Sequence, residues 1–279
     1  MNRTMLTATN TLSQLQKKMD IISNNMSNID TTGFKRKETY FNDLLAQEFK
    51  NQGRDDKEKG RLTPIGIRIG TGAKISQSRM VLSQGSLKTT DRNLDLALKK
   101  SDQFFKIRGD QNTIQYTRDG AFYLSPADAS GTAMALVNGN GQAVLDESDR
   151  PIVINGDISN LSFTENGQLR ASTENGGVQT FELGIISVKK PQFFEQKGTN
   201  LYALPERLNT LEVTEDDVFT RLDTGLRGNI SMQQGVLENS NVELSKEMTD
   251  LMNVQRSYQF QARTITMADQ MAGLVNGIR

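Results

Sequence analysis

Three residue types are missing from this 279-residue chain: cysteine, tryptophan and histidine. Without histidine there is no imidazole general base, without cysteine no thiolate nucleophile, and without both the common zinc sites are excluded. Zero cysteine also means no disulfide framework, so the fold must be held by packing or by neighbouring molecules. Net charge is lacking too. The 33 Lys and Arg are balanced by 33 Asp and Glu, which leaves no global basic field for nucleic acid or an anionic membrane. Apolar runs such as Leu183-Gly184-Ile185-Ile186 fall far short of the roughly 20 residues of a membrane span, so no direct membrane insertion is expected. The N-terminus has no compact apolar core of the secretory type, so any export is expected to proceed without a cleaved signal peptide.

What is present is concentrated at the two ends. Residues 1–30 carry an apolar stripe at alternating three- and four-residue spacing: Met5, Ala8, Leu12, Leu15, Met19, Ile22, Met26 and Ile29. That is the seam of a helix built to face other helices. Thr4, Thr7, Thr9, Asn10 and Thr11 are weak helix formers, so the first turns must rely on packing rather than propensity. Thr31-Thr32-Gly33 ends the pattern, with Gly33 free to turn. A second helix is expected near the C-terminus, after Ser240 and Glu243 at capping-box spacing. Its apolar row runs Leu244, Met248, Leu251, Tyr258, Ala262, Ile265 and Ala272, and an adjoining row adds Val254, Ala268 and Val275. This stripe is wider than a coiled-coil seam, which predicts partners on two sides.

The middle reads differently. Residues 38–50 (Tyr40, Phe41, Leu44, Leu45, Phe49) have the spacing of a short helix, followed by a polar linker. From Ile65, Ile67 and Ile69 onward the signals are those of strands and turns. Asp119-Gly120 is a hairpin cue between 114–117 and 121–124, Asn138-Gly139-Asn140-Gly141 and Glu165-Asn166-Gly167 are further turns, and Val178–Val188 reads as a strand. The expected architecture is α+β: long terminal helices packing together in an axial domain, with a mostly antiparallel β domain between them. The boundaries are 1–36 and 231–279 for the helical assembly domain, 37–62 for the short helix and linker, and 63–230 for the β-rich domain.

The ends and the middle together resemble the bacterial flagellar rod and hook protein family. The resemblance rests on Asn24-Asn25-Met26-Ser27-Asn28, Thr31-Thr32-Gly33-Phe34-Lys35, Ser83-Gln84-Gly85-Ser86-Leu87 and Tyr116-Thr117-Arg118-Asp119-Gly120-Ala121-Phe122. It continues in Asn200-Leu201-Tyr202, Gln234 to Val242, and Val254-Gln255-Arg256-Ser257-Tyr258 with Asp269-Gln270-Met271. The chain departs from the family at Lys99–Gln103, where relatives often carry glycines before the Phe104-Phe105 pair. The resemblance implies a non-enzymatic structural subunit of the flagellar basal-body rod, similar to the distal rod protein. Such a subunit is exported by the flagellar type III apparatus and stacks helically with copies of itself and with other rod and hook subunits. Its terminal helices line the inner tube and its β domain lies outside. A hook or hook-cap relative and, remotely, an acid-dependent carbohydrate-active β protein are the alternatives.

Candidate chemistry is sparse, and no catalytic, metal or cofactor site is expected. Gly66 to Gly72 lacks the Lys-Ser/Thr of a phosphate loop. Asp146, Glu147 and Asp149 lack calcium-loop spacing and read as a solvated turn, as do Glu215-Asp216-Asp217 and the basic run Lys35-Arg36-Lys37. The residues of consequence are instead expected at subunit interfaces: Leu12, Leu15, Met19, Ile22, Met26, Ile29, Leu244, Met248, Leu251, Tyr258 and Ile265. The family motif adds Asn24, Asn25, Asn28, Thr31, Gly33, Phe34, Gln255 and Arg256, whose asparagines are expected to cap or terminate the helix and also to make polar contacts between subunits.

Overall fold

A computed structural model describes residues 2–43, 47–49, 67–69, 73–109, 112–128, 132–174, 177–205, 213–223 and 225–277. The first helix, α1, spans Asn2–Ser27. Two of its threonines bond back to the preceding turn: the Thr9 hydroxyl donates to the Met5 carbonyl and Thr11 to Thr7, each at 2.8 Å. A four-residue helix, α2, covers Glu215–Val218, and the chain closes with the 34-residue α3, Leu244–Gly277. The long terminal helices pack on each other, with antiparallel sheets between them in sequence, so the fold is α+β.

The chain divides into two compact units. The first contains 1–24, 38–78 and 245–279: most of α1 and α3, with strands Lys37–Asp43 and Ala73–Met80 paired and Gln47–Phe49 antiparallel to Ile67–Ile69. The short helix expected over 38–50 is therefore a strand where the residues are described. The apolar spacing there was too short to separate the two periods. Thr39, Tyr40 and Phe41 favour a pleated surface, and the strand is started by side-chain bonds to Lys37. Leu44 and Leu45 lie outside the described residues.

The second unit, 25–37 and 79–244, holds a six-stranded antiparallel sheet. Its strand order is Glu195–Gln196, Leu201–Ala203, Ile114–Thr117, Gln103–Arg108, Ile185–Val188 and Phe219–Arg221. Side chains alternate across this sheet. Phe105, Ile107 and Ile185 enter one core with Leu96, Phe122, Leu136, Val144 and Leu169; Phe104, Ile186, Val188, Tyr116, Tyr202 and Phe219 enter another. Covered on both faces, the sheet reads as Phe104-Phe105 and Ile185-Ile186 rather than as apolar-polar alternation. Two three-stranded sheets adjoin it, one from Tyr123–Pro126, Ala133–Val137 and Val153–Asn155, the other from Ile158–Phe163, Gln168–Thr173 and Val178–Glu182.

Three local expectations change. Asp119-Gly120 does not close a hairpin: the strand Ile114–Thr117 pairs with Gln103–Arg108 and Leu201–Ala203, while Gly120 leads the chain away to accept a bond from the Leu96 amide at 3.0 Å. The stretch Val178–Val188 is two strands in different sheets, because at Leu183 and Gly184 the backbone changes partners to Gly167 and Leu145. Ser240 does not cap α3; its hydroxyl accepts from the Val242 amide, and the helix starts at Leu244. The turns at Asn138–Gly141 and Glu165–Gly167 do reverse the chain, the latter joining Ile158–Phe163 to Gln168–Thr173.

Two glycines separate backbone strain from close approach. Gly33 (φ +68°) and Gly141 (φ +80°) both sit in the left-handed region, but a Cβ on Gly33 would lie 2.3 Å from the Asp119 nitrogen, whereas none of the described atoms is within 4 Å of one on Gly141. Gly141→Ala should cost about 1 kcal/mol from φ alone. Gly33→Ala should cost about 1–3 kcal/mol more, because backbone must move. Urea midpoints of the two variants test this; equal losses would show that the approach at Gly33 is unimportant.

Candidate functional site

The N-terminal signature is anchored inside the second unit by a run of backbone bonds, several of them to side chains. The Gly33 amide donates to the Glu238 carbonyl at 2.8 Å and the Phe34 amide to the Thr31 carbonyl. The Lys35 amide reaches the Tyr202 hydroxyl at 3.2 Å, the Arg36 amide the Asn241 Oδ1 at 2.7 Å, and the Lys37 amide the Asn25 Oδ1 at 3.0 Å. Asn25 returns a bond from Nδ2 to the Lys37 carbonyl at 2.9 Å, so its amide imitates a neighbouring strand. The Thr32 hydroxyl and Asn200 Nδ2 both hold Asp119. Five successive amides thus have partners, as buried backbone requires.

Beneath this run lies a buried ionic triad. Lys35 Nζ donates to Glu238 Oε1 at 2.7 Å and to the Ser83 carbonyl at 2.8 Å. Arg118 donates Nε and Nη2 to Glu238 Oε2, and its other N–H bonds go to the carbonyls of Lys100, Gln103 and Leu98. Gly85 N completes the carboxylate at 3.0 Å. All five guanidinium protons are therefore used. The three side chains are at most 1 % exposed. Two cations share one carboxylate, so the site holds a surplus positive charge. Burial lowers the Lys35 ammonium from 10.5 to about 8; the Arg118 charge adds to this and Glu238 opposes it. The expected solvated corner at 35–37 is thus corrected at Lys35. The triad itself was missed, although all three members lie within the motifs quoted above.

The acidic turn at Asp146, Glu147 and Asp149 is likewise partnered rather than merely solvated. Lys106, 2 % exposed, donates to Asp149 Oδ1 at 2.9 Å, and Arg221 lies 3.4 Å from Oδ2. Arg227 spans Glu147 and Glu182 at 3.2 and 2.8 Å. A hydrogen bond that the protonated Glu182 carboxyl donates to Glu147, with a smaller contribution from burial, raises Glu182 above the usual carboxylate range. The cations this turn holds are side chains of its own chain. Among the described residues no group of three or more His, Cys, Asp or Glu could hold a metal ion, and no helix is long and apolar enough to cross a membrane.

The remaining site residues lie on the helices. On α1, Ala8, Leu15 and Ile22 are buried at seven-residue spacing, and Leu12, Met19 and Met26 are half-buried beside them, as is Ile29 just past the helix end. On α3 the covered face runs Glu247, Leu251, Val254, Tyr258, Gln261, Ile265, Ala268 and Ala272, alternately four and three residues apart. Leu244 and Met248 fall off this seam and are 45 % and 48 % exposed. At ~100° per residue, Met248, Met252, Phe260, Met267, Met271 and Leu274 occupy the opposite side of α3, each about half or more exposed. Asn25 and Asn28 are buried, whereas Asn24, Gln255 and Arg256 are exposed.

Three family models match the chain: the flagellar basal body rod FlgEFG protein C-terminal region over residues 233–278, the flagella basal body rod protein over 5–35, and the flagellar hook protein FlgE/F/G D1 domain over 100–171. The chain is 45 % identical to the flagellar hook-basal body complex protein FlhP of Bacillus subtilis, with both chains covered completely. It is 31 % identical to the flagellar basal-body rod protein FlgG of Buchnera aphidicola from Acyrthosiphon pisum over 92 % of each chain. It is 29 % identical to the FlgG of Bacillus subtilis over 97 % of each.

Two outcomes follow from the triad. Glu238→Gln leaves two buried cations without their counter-charge and should destabilise the second unit by about 3–5 kcal/mol, measured by urea unfolding at pH 7. Lys35 gives a pH signature. Its folded value lies below its unfolded one, so between pH 8 and 10.5 the unfolded chain binds more protons and this residue's contribution to stability rises with pH. The stability of the parent chain relative to Lys35→Met should therefore increase from pH 8 to pH 9.5. A decrease would show that Glu238 dominates the lysine instead.

Proposed function

Since the chain belongs to the flagellar basal-body rod protein family, we propose that α3 is its principal subunit-joining element, with one face taken by α1 and the other by neighbouring subunits. The protein is a structural, non-enzymatic component of the hook-basal body rod, similar to FlgG and FlhP, and it assembles with rod and hook subunits. The observation that carries the proposal is the second apolar face of α3. Eight of the fourteen large hydrophobics exposed among the described residues lie on this one helix, and a patch of that kind marks an interaction surface.

In this reading the partners are copies of the chain and the subunits above and below it in the rod. A subunit with two complementary surfaces builds an open helical array, and torque then passes through packed helices, while the triad of Lys35, Arg118 and Glu238 holds the β-rich unit together. The flagellar export apparatus is the remaining partner, meeting the chain through its N-terminal region. The exposed asparagine and the polar pair, Asn24, Gln255 and Arg256, are placed to set register between subunits, as polar groups at helix seams do.

Leu15→Asp and Leu251→Asp should each prevent incorporation into isolated hook-basal bodies, scored by immunoblot, while circular dichroism shows the β-rich unit intact. Removal of residues 1–30 should have the same effect on incorporation. Normal levels of either point variant in purified particles would overturn the role given to the helix pair.

A further inference from the structure

Five Asn-Gly pairs fall in the second unit, beginning at Asn138, Asn140, Asn155, Asn166 and Asn175, the last outside the described residues. An asparagine followed by glycine is open to deamidation, because no Cβ shields the glycine nitrogen from the carboxamide carbon. The fold treats the four described pairs differently. Asn138 is locked: its Oδ1 accepts from the amides of Asn140 and Gln142 at 3.0 and 2.9 Å, and its Nδ2 donates to Gln142 Oε1 at 2.9 Å. Asn155 is fixed through its backbone, which exchanges bonds with the Gln179 side chain, while the Gly156 amide donates to the Thr132 carbonyl at 2.8 Å. Behind Asn166 the glycine is wedged: a Cβ on Gly167 would lie 3.1 Å from the Ile185 side chain and 3.4 Å from that of Ile230. Asn140 is the exception. It is exposed between two glycines, its side chain has no hydrogen bond among the described residues, and none of the described atoms is within 4 Å of a Cβ on Gly141. One restraint remains, the bond from the Gly141 amide to the Asn138 carbonyl at 3.0 Å.

We propose that Asn140 is the deamidation site of the folded β-rich unit, and that Asn138 is the brake on its reaction. The Gly141 nitrogen, on losing its proton, attacks Asn140 Cγ. A C–N bond forms and closes a succinimide, the bond from Cγ to Nδ2 breaks, and ammonia leaves after taking up a proton. Water then opens the ring at either carbonyl, giving aspartate or isoaspartate. One water is consumed and one ammonia released, with no change of oxidation state. Asn138 opposes the first step by shaping the loop. The bond from the Asn140 amide to its Oδ1 makes a side-chain turn, which keeps the Gly141 amide on the Asn138 carbonyl and away from Cγ. The products disturb that turn. Aspartate adds a negative charge to a chain whose formal charges balance, and isoaspartate adds a methylene to the backbone between 140 and 141, displacing Gln142 from the Asn138 carboxamide. The turn ends where Ala143 bridges to Val137, next to the buried core residue Val144. In a structural subunit such slow chemistry accumulates, so position 140 records the age of the folded molecule.

The test incubates the purified full-length chain at mildly alkaline pH and follows each Asn-Gly pair by peptide mass spectrometry, with isoelectric focusing reporting the charge of the intact chain. In the folded chain Asn140 is expected to react about fivefold or more faster than Asn138, Asn155 and Asn166, each of which is held by at least one further hydrogen bond or packed contact. In urea, where the fold no longer separates them, the four should react at similar rates. Asn138→Ala keeps the backbone carbonyl but frees the loop; it should speed Asn140 about fivefold and leave Asn166 unchanged. A folded chain in which Asn155 or Asn166 reacts as fast as Asn140 would overturn the assignment of the site. An Asn138→Ala variant with the parent's circular dichroism and an unaltered Asn140 rate would overturn the brake. Should that variant unfold, the folded and urea-unfolded parent still decide whether Asn140 is the site, and Gln142→Ala, which removes only the side-chain partner of Asn138 Nδ2, replaces it: an Asn140 rate that does not rise in that variant overturns the brake.

Discussion

The carboxylate of Glu238 is the constraint on which the β-rich unit depends. It is buried, it neutralises two buried cations, and its three charged members come from positions 35, 118 and 238. A buried ion group of this kind contributes little net stability compared with an apolar replacement, but it is costly to leave incomplete. Its consequence is therefore conformational. The segment after α1, the strand-end turn at Arg118 and the strand before α3 must all be in place together. Positions 35, 118 and 238, far apart in sequence, are thereby tied to one point in the second unit.

That arrangement explains why so much polar chemistry is gathered around residues 31–37. A segment leaving a helix and entering a strand has amides that belong to neither ladder. Here Tyr202, Asn241 and Asn25 supply the acceptors. The glycine at position 33 lets the turn press against the Asp119 backbone. The asparagines of the N-terminal signature divide accordingly. Asn25 acts within the chain, Asn28 accepts from the Thr31 hydroxyl, and Asn24 faces outward.

The helices are governed by different physics. Each has a seam at three- and four-residue spacing, and α3 carries a second apolar face that the chain leaves exposed. Charged and hydrogen-bonded contacts are concentrated around the Glu238 triad in the second unit, while α3 carries broad exposed apolar area. The absence of cysteine and histidine fits a molecule whose work is done by packing.

Periodicity made the helices legible, because a seam repeated over seven or more turns admits no other period. Leu15, Ile22, Leu251, Tyr258 and Ile265 were placed on covered faces by spacing alone, and the family was identifiable from short motifs at both ends and in between. Asn/Gly turns at 138–141 and 165–167 were legible because their conformation is set locally. Tertiary structure decided the rest. Residues 38–43 became a strand because Thr39, Tyr40 and Phe41 favour a pleated surface, and the apolar spacing over 38–50 does not separate the two periods. Asp119-Gly120 left its sheet because the Leu96 backbone offered a partner. Leu244 and Met248 fell outside the seam because the width of a stripe does not say which edge is covered. The triad was invisible for the same reason. Charges at 35, 118 and 238 reveal their pairing only when the fold brings both cations within 3 Å of the Glu238 carboxylate, and sequence patterns report local geometry, not the long-range contacts that satisfy a buried charge.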